Sequence, residues 1–415
     1  MPARTLTRLS AALLVSAIPL TAAAEELVIY HGWSSPAEVG ALNVIKDAFE
    51  AKGHTWIDLA LPHDTGADVG LINLITGGNP PNIFVEANPG VYRDLNQMGM
   101  GQPLTEFFAG RDITDHFPAA VRQAITVDGE IMKIPTAVHI DGMVYYNKDV
   151  AEQAGVNPSS WTSLDDMFGD FDTIREAGFI PLAVGGQKWQ VGYLTHTLAA
   201  ALYGDALFPK IYTDQPDRDA IDSDEMRGVL AWLRRWQQAS DDGMPNRDWN
   251  VTTNMVITGE ALMQIHGDWM KGEWRSAGKE PGVDFGCINI PGTNGLSTTV
   301  DAFGIIGGVD DNILQAELEF AATVVDPEVS AGFAAIKGSS PVRLDVDVSE
   351  LDMCSQAVME TLKQPELGFV TPHNLADADW IDAIWNVMFN YWSDEDMTAD
   401  QAIGDLQNEY DAIFG

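Results

Sequence analysis

The sequence predicts an α/β protein of two domains that share the chain more than once. Three observations carry this. Strand and helix patterns alternate strictly near the N-terminus, which specifies a mainly parallel sheet. The rhythm then changes to long helical stretches, before strand-like runs return in "VDFGCINIPG" and "TTVDAFGIIGG". No internal repeat, low-complexity linker or sharp composition shift marks a single boundary, as expected when the chain passes between domains repeatedly.

Residues 1–24 are set aside as a cleaved secretory leader. Arg4 and Arg8 form a positive start, "LSAALLVSAIPL" is a short apolar core and "TAAA" supplies small residues for cleavage. The apolar run is too short to span a bilayer. "ELVIYHGW" then reads as a strand, and "EVGALNVIKDAFEAKG" as a helix with Val39, Leu42, Ile45 and Phe49 on one face, ended by Gly53. "TWIDLAL" is a second strand, "DVGLINLITGG" a second helix and "NIFVEAN" a third strand. Ligands of such sheets sit beyond the strand C-termini. Trp33, the loop "PHDTG" and the segment from Glu86 to Gly90 all fall there.

Further on, "EIMKIPTAVHIDGMVYYNKDVAEQAG" holds two strand-like runs and a helix. Residues 163–249 are mostly helical, with "MRGVLAWLRRWQQAS" the clearest amphipathic run; its Trp232 and Trp236 fit core packing. "GEALMQIHGDWMKGEW" reads as strand, turn and helix start. From Ala316 onward the chain is helical, with breaks near 338–341 and 371–373.

Apolar residues make up 46% of the chain, enough for two packed cores. The net charge of −38 makes nucleic acid a poor partner. Scattered acids read first as a solvated surface suited to a saline medium, where salt screens self-repulsion. Binding of a cation or a cationic solute is the sharper alternative, although no calcium-loop spacing is present. Cys287 and Cys354 are either one disulfide or two buried thiols. With no cysteine–histidine cluster, neither a structural zinc nor any other cofactor is expected.

Six segments together resemble a known family: "VIYHGWSSPAE", "GGNPPNIF", "IPTAVHIDGMVYYNKDV", "ALMQIHGDWMKGEW", "TTVDAFGI" and "KGSSPVR". Their order and spacing resemble the extracellular sugar-binding proteins of bacterial ABC importers, and within them the glucose- or mannose-binding branch. The resemblance implies a two-lobed periplasmic-binding-protein fold (type II), each lobe a mainly parallel sheet flanked by helices, with the ligand cleft between. It implies a first lobe from residues 25–136 and 291–326, and a second from 137–290 and 327–415. The crossings would fall near 134–137, 288–291 and 326–337. It further implies a periplasmic monomer that is not an enzyme, binds a carbohydrate and docks transiently on a membrane permease.

A pyranose has apolar C–H faces and a rim of hydroxyls, so its cleft needs flat aromatics and planar polar side chains. The candidate rings are Trp33, Trp189 and Trp269. The polar candidates are Glu38, His139, Gln190, Asp301, Lys337 and His373. Trp33 stands in a small-residue turn that does not bury it locally; a sugar and the opposite lobe would cover it. Trp269 stands among polar residues and glycines. Asp301 precedes the apolar strand "AFGII", where an unpartnered acid is costly if buried. Glu38 has a second reading as a helix cap, and Lys337 as a surface lysine at a helix C-terminus.

The chain also departs from that branch. Gly32–Trp33 replaces two adjacent tryptophans. "PHDTG" replaces a glycine-rich loop and brings His63 and Asp64 to the expected site, and Glu86 and Asn88 follow the third strand where a basic or amide residue is usual. A larger, differently substituted or amino-bearing sugar therefore stands beside glucose. Two rivals share the residue inventory: a sugar sensor for chemotaxis or signalling, and a secreted carbohydrate-active enzyme. The second needs two carboxylates at defined separation. The sequence carries no nucleophile-elbow, metallohydrolase or phosphate-loop motif.

Overall fold

The structure of the chain, a computed structural model, describes residues 24–61, 67–349, 351–364 and 368–415. All but the last residue of the expected leader lie outside the described residues, as do His63 and Asp64.

β1 (Glu26–His31), β2 (Thr55–Ala60) and β3 (Ile83–Val85) pair in parallel, with β1 in the middle. Their connections contain the helices Pro36–Glu50 and Ala67–Thr76. The first is started by a capping box, in which Ser35 and Glu38 exchange side-chain-to-backbone bonds. It buries Ala41, Leu42, Ile45 and Phe49, whereas Val39, expected on that face, points to solvent. The apolar stripe therefore runs through Ala41, a residue too small to register strongly in the pattern.

A small hairpin follows, β4 (Thr126–Val127) and β5 (Glu130–Ile131), turned at Asp128–Gly129 with both residues at positive φ. β6 (Ile134–Ile140) is buried along its whole length. It pairs antiparallel with β11 (Leu296–Ile305), which also pairs antiparallel with β3 and parallel with β12 (Gly368–Val370). The first sheet thus runs β12-β11-β3-β1-β2, with β6 also on β11. The second is β10 (Phe285–Ile288), β7 (Met143–Asn147), β9 (Ala261–His266) and β8 (Ile180–Ala183), in that order. The two-lobed α/β architecture is as expected. The second sheet, however, has two antiparallel pairings and one parallel, rather than a mainly parallel set.

Strand pairing also moves the lobe boundaries. β6 stays with the first sheet to Ile140 and the chain crosses at Asp141–Gly142, a few residues beyond the expected point. The helix Pro327–Lys337 packs on Pro36–Glu50, and β12 joins the first sheet, so both belong to the first lobe rather than the second. A mostly apolar strand such as "IPTAVHI", buried from end to end, looks the same in either sheet; only its hydrogen-bonded neighbour assigns it. The second lobe is completed by the helices Lys188–Tyr203, Asp224–Ala239 and Ala378–Ser393, packed together over a core that includes the fully buried Trp236 and Trp380. Trp236 is core, as its spacing predicts.

Cys287 on β10 and Cys354 in the helix Met353–Leu362 form a disulfide across a sequence separation of 67. Closing a loop of that length constrains the unfolded chain. The Cys287→Ser, Cys354→Ser double variant is expected to lose about 2–4 kcal/mol of stability in urea unfolding. An unchanged midpoint would show that the bridge carries no such constraint.

Candidate functional site

The junction of the two lobes gathers aromatic and acidic side chains. Trp269 stands in the turn between β9 and the helix Met270–Ser276, half-buried. Its ring lies so close over Gly267 that a Cβ there would meet it at 2.1 Å, so any larger residue would displace the ring. It contacts the rings of His266 at 5.0 Å, His139 at 5.2 Å and Tyr193 at 5.8 Å between centroids. Tyr193 is the hub: Trp189, four residues earlier on the same helix, lies at 5.7 Å and Trp385 at 6.0 Å. Gly192 makes room for Trp385, whose ring atoms would sit 2.4 Å from a Cβ at that position. Trp385 in turn stacks on His373 at 17° and 6.4 Å. Trp189, Tyr193, Trp269 and Trp385 are all half-buried, so each keeps surface for a ligand.

Two carboxylates border this wall. Asp301 is the single position of β11 that is not buried. The β6–β11 register shifts between Asp301 and Ala302, an irregularity of the kind that re-aims a side chain out of the pleat. Its Oδ2 lies 3.2 Å from His139 Nε2. His139 Nδ1 lies 2.5 Å from Asp268 Oδ1 on the other side, so the imidazole is held between two acids. Glu86, at the end of β3, is buried; its Oε1 accepts the backbone N–H groups of Ala87 and Asn88 at 2.7 and 2.6 Å. His373 Nε2 lies 3.4 Å from the same oxygen. Beneath it Lys133, also buried, donates from Nζ to the Ala87 carbonyl.

The charges here follow from those neighbours. Burial opposes a charged His139, but the fields of Asp268 and then Asp301 overcome it and push its pKa up to about 9. Burial pushes Lys133 down to about 7, against the pull of Glu86. Burial likewise lowers His266 to about 3, with Asp141 opposing, so its imidazole is neutral. Asp141, at the first crossing, accepts from Ser297 at 2.6 Å and Thr299 at 2.5 Å on β11, and lies 2.9 Å from His196 Nε2 in the second lobe. It ties the two lobes at the crossing itself.

A group whose folded pKa is raised contributes stability below its unfolded value and loses it as pH rises through the folded one. For His139 that window runs from 6.5 to about 9. Glu317, raised by burial to about 8, acts in the same sense, and the lowered Lys133 in the opposite sense above about 7. The difference between the protein and His139→Gln isolates the histidine: the protein should lose stability relative to the variant between pH 6.5 and 9. Parallel pH profiles from chemical unfolding would contradict the charged imidazole.

The sequence candidates separate on this geometry. Trp189, Trp269, His139, Asp301 and His373 come together. Trp33 does not join them. It is 4% exposed, with Phe303 and Phe333 each 5.9 Å away and Lys337 Nζ 4.9 Å over its ring. The turn does not bury it, as the sequence indicates; the core of its own lobe does. Glu38 is the helix cap, its Oε2 accepting from Ser34 and Ser35 N–H at 3.0 Å each and its Oε1 3.1 Å from Lys337 Nζ. Burial works to raise that carboxyl, but Lys337 and the two backbone donors hold it below its ordinary value. Lys337 is buried and committed to this ion pair. Gln190 is buried too, donating to Gln187 Oε1 and the Arg247 carbonyl. It shapes the wall from behind.

Tyr193, His266, Trp385 and Lys133 were not singled out in the sequence. Tyr193 carries a signal, being four residues from Trp189 on one helix face. Trp385 carries none, since its helix is aromatic on several sides and only packing shows which ring reaches the junction.

Two α/β lobes, joined by crossing segments and meeting at an aromatic and acidic wall, define the two-lobed binding-protein class. The chain belongs to the family of bacterial extracellular solute-binding proteins, whose family model matches residues 33–310. It is 30% identical over 359 residues to a probable sugar-binding periplasmic protein of Brucella melitensis, covering 85% of this chain and 84% of the relative. A probable sugar-binding periplasmic protein of Rhizobium meliloti is also 30% identical, covering 86% of each. Among solved structures, a chitin oligosaccharide binding protein superposes with a TM-score of 0.79 at 18% identity, covering 94% of this chain and 98% of the other.

Proposed function

We propose that this chain is the periplasmic sugar receptor of an ABC importer. It is exported by its leader, binds a mono- or short oligosaccharide between its lobes as a monomer, and hands it to a membrane permease. The observation that carries the reading is the wall of half-buried rings, Trp189, Tyr193, Trp269 and Trp385, bordered by Asp301 and Glu86. Rings accept the C–H faces of a pyranose, and carboxylates accept its hydroxyl protons in pairs. The names of the relatives, sugar-binding periplasmic proteins, support the same class.

A glucose-like hexose is the first candidate ligand. Neighbouring rings in the wall stand 5.7 to 6.0 Å apart, so it extends past one pyranose and leaves room for a second unit. His63 and Asp64, which follow β2 in the sequence and lie outside the described residues, complete the proposed set. No step of bond cleavage is assigned to the site: its buried acids are engaged in capping or in holding His139.

Calorimetric titration against hexoses, pentoses, amino sugars and disaccharides tests the proposal. One saccharide should bind per chain at micromolar or tighter affinity, a standard free energy of roughly −8 kcal/mol or stronger. Tight binding of an amino acid or polyamine at this wall, with no sugar bound, would overturn it. A ligand touching both lobes also shifts the population towards closure by its difference in affinity for the two states. Small-angle scattering should therefore show contraction on saturation if the free protein starts open.

A further inference from the structure

The helix that carries Trp189 and Tyr193, Lys188–Tyr203, starts in an unusual way. Its N-cap is Gln187. Short side chains such as Ser, Thr, Asp and Asn are preferred there, because they reach back to the free N–H groups of the first turn. Gln187 makes no such bond. Its Oε1 instead accepts from the indole Nε1 of Trp189 and from Nε2 of Gln190, both at 2.9 Å. An indole N–H only donates, so this bond fixes which end of the Gln187 amide is the oxygen. The helix start thus forgoes a cap, and the side chain holds one ring of the aromatic wall by its polar edge.

The backbone that carries Gln187 is pinned too. Gly186 N–H donates to the Met244 carbonyl at 3.0 Å, and a Cβ on Gly186 would meet that same oxygen at 2.6 Å. Gln190 spends its other N–H on the Arg247 carbonyl at 3.0 Å. Arg247 is itself held by a two-pronged pair with Asp241. Trp189 has Tyr193 at 5.7 Å and His266 at 5.5 Å beside its ring. Those contacts limit where the indole lies; the bond to Gln187 fixes which edge it turns to them. A ring oriented in advance loses less entropy when a ligand binds.

Trp189 and Trp269 differ in their surroundings. Trp269 touches His139, which in turn holds Asp301, whereas Trp189 meets Tyr193 and His266. A sugar unit bonded to Asp301 therefore lies nearest Trp269, and Trp189 is left for the next unit along the wall. We infer that Gln187 is a positioning residue that orients Trp189 as the platform for a second sugar unit. The inference rests on the sugar-receptor reading and deepens it: the ligand is a disaccharide or a longer chain of such hexoses.

The test has two arms, both on the mature chain. In the free protein, the Trp189 indole N–H resonance, assigned by its loss in Trp189→Phe, reports the hold directly. It should exchange slowly with solvent in the parent and in Gln187→Glu, which keeps an oxygen at that place, and tenfold or more faster in Gln187→Ser. Serine suits an N-cap, so Gln187→Ser should unfold no earlier than the parent. The second arm is calorimetric titration with glucose, maltose and cellobiose. Gln187→Ser should weaken whichever disaccharide binds the parent tenfold or more, and glucose less than threefold; Gln187→Glu should bring the disaccharide back to within threefold. A merely structural role would weaken both sugars together and lower stability. Unchanged exchange in Gln187→Ser, equal losses for glucose and disaccharide, no recovery in Gln187→Glu, or a parent that binds glucose but neither disaccharide would each overturn the inference. A parent that binds none of the three sugars, while Gln187→Ser still frees the indole, would count against the glucose-like ligand instead and uphold the hold on the ring.

Discussion

Trp269→Ala should lower sugar affinity about 30-fold or more, the equivalent of roughly 2 kcal/mol lost on truncating an aromatic anchor. The ring is positioned from three sides, by His139, His266 and Tyr193, and from below by Gly267. It therefore offers a ligand a preorganised face, and little entropy is lost in ordering it on binding. The fold should survive, because the ring is half-buried and the chain around it is held by β9 and by the helix Met270–Ser276. Calorimetry on the variant measures the first effect and thermal unfolding the second. Affinity within twofold of the parent would remove Trp269 from the site.

Trp33→Ala should act on the other quantity. Truncating a tryptophan buried against Phe303 and Phe333 costs about 3–5 kcal/mol of stability, through lost transfer energy and the cavity left behind. It also removes the ring face beneath Lys337 Nζ and leaves the Lys337–Glu38 pair less well packed. Folded molecules should still bind sugar with affinity far closer to the parent than Trp269→Ala does. Urea unfolding followed by circular dichroism, with titration of the folded fraction, separates the two effects. Unchanged stability with abolished binding would return Trp33 to the sugar site.

The contrast between these two tryptophans shows what is legible in a chain of this kind. Both stand in turns after strands, among glycines and polar residues, and both match the family's motifs. Trp269 reaches the junction because the turn after β9 opens there. Trp33 turns inwards because Phe303, from a strand some 270 positions later, and Phe333 close around it. Glu38 is a similar case. The cap reading is local and follows from Ser35 three residues earlier. Its ion pair with Lys337 spans a separation of 299 residues.

By itself the sequence determined the periodic elements: the alternating strands and helices of the first lobe, the capping box at Ser35 and the core role of Trp236. These depend on spacing, and spacing is local. That Asp301 would not be buried like its neighbours was also legible, because an unpartnered acid inside an apolar strand is costly. Only the tertiary structure decided which sheet holds β6 and β12, which lobe carries Pro327–Lys337, and that Cys287 meets Cys354. It also decided that Tyr193 and Trp385 complete the wall. An apolar strand satisfies its backbone equally well beside any partner of suitable register, and an aromatic ring packs wherever it is covered. Those choices are made by long-range contacts, which leave no periodic trace along the chain.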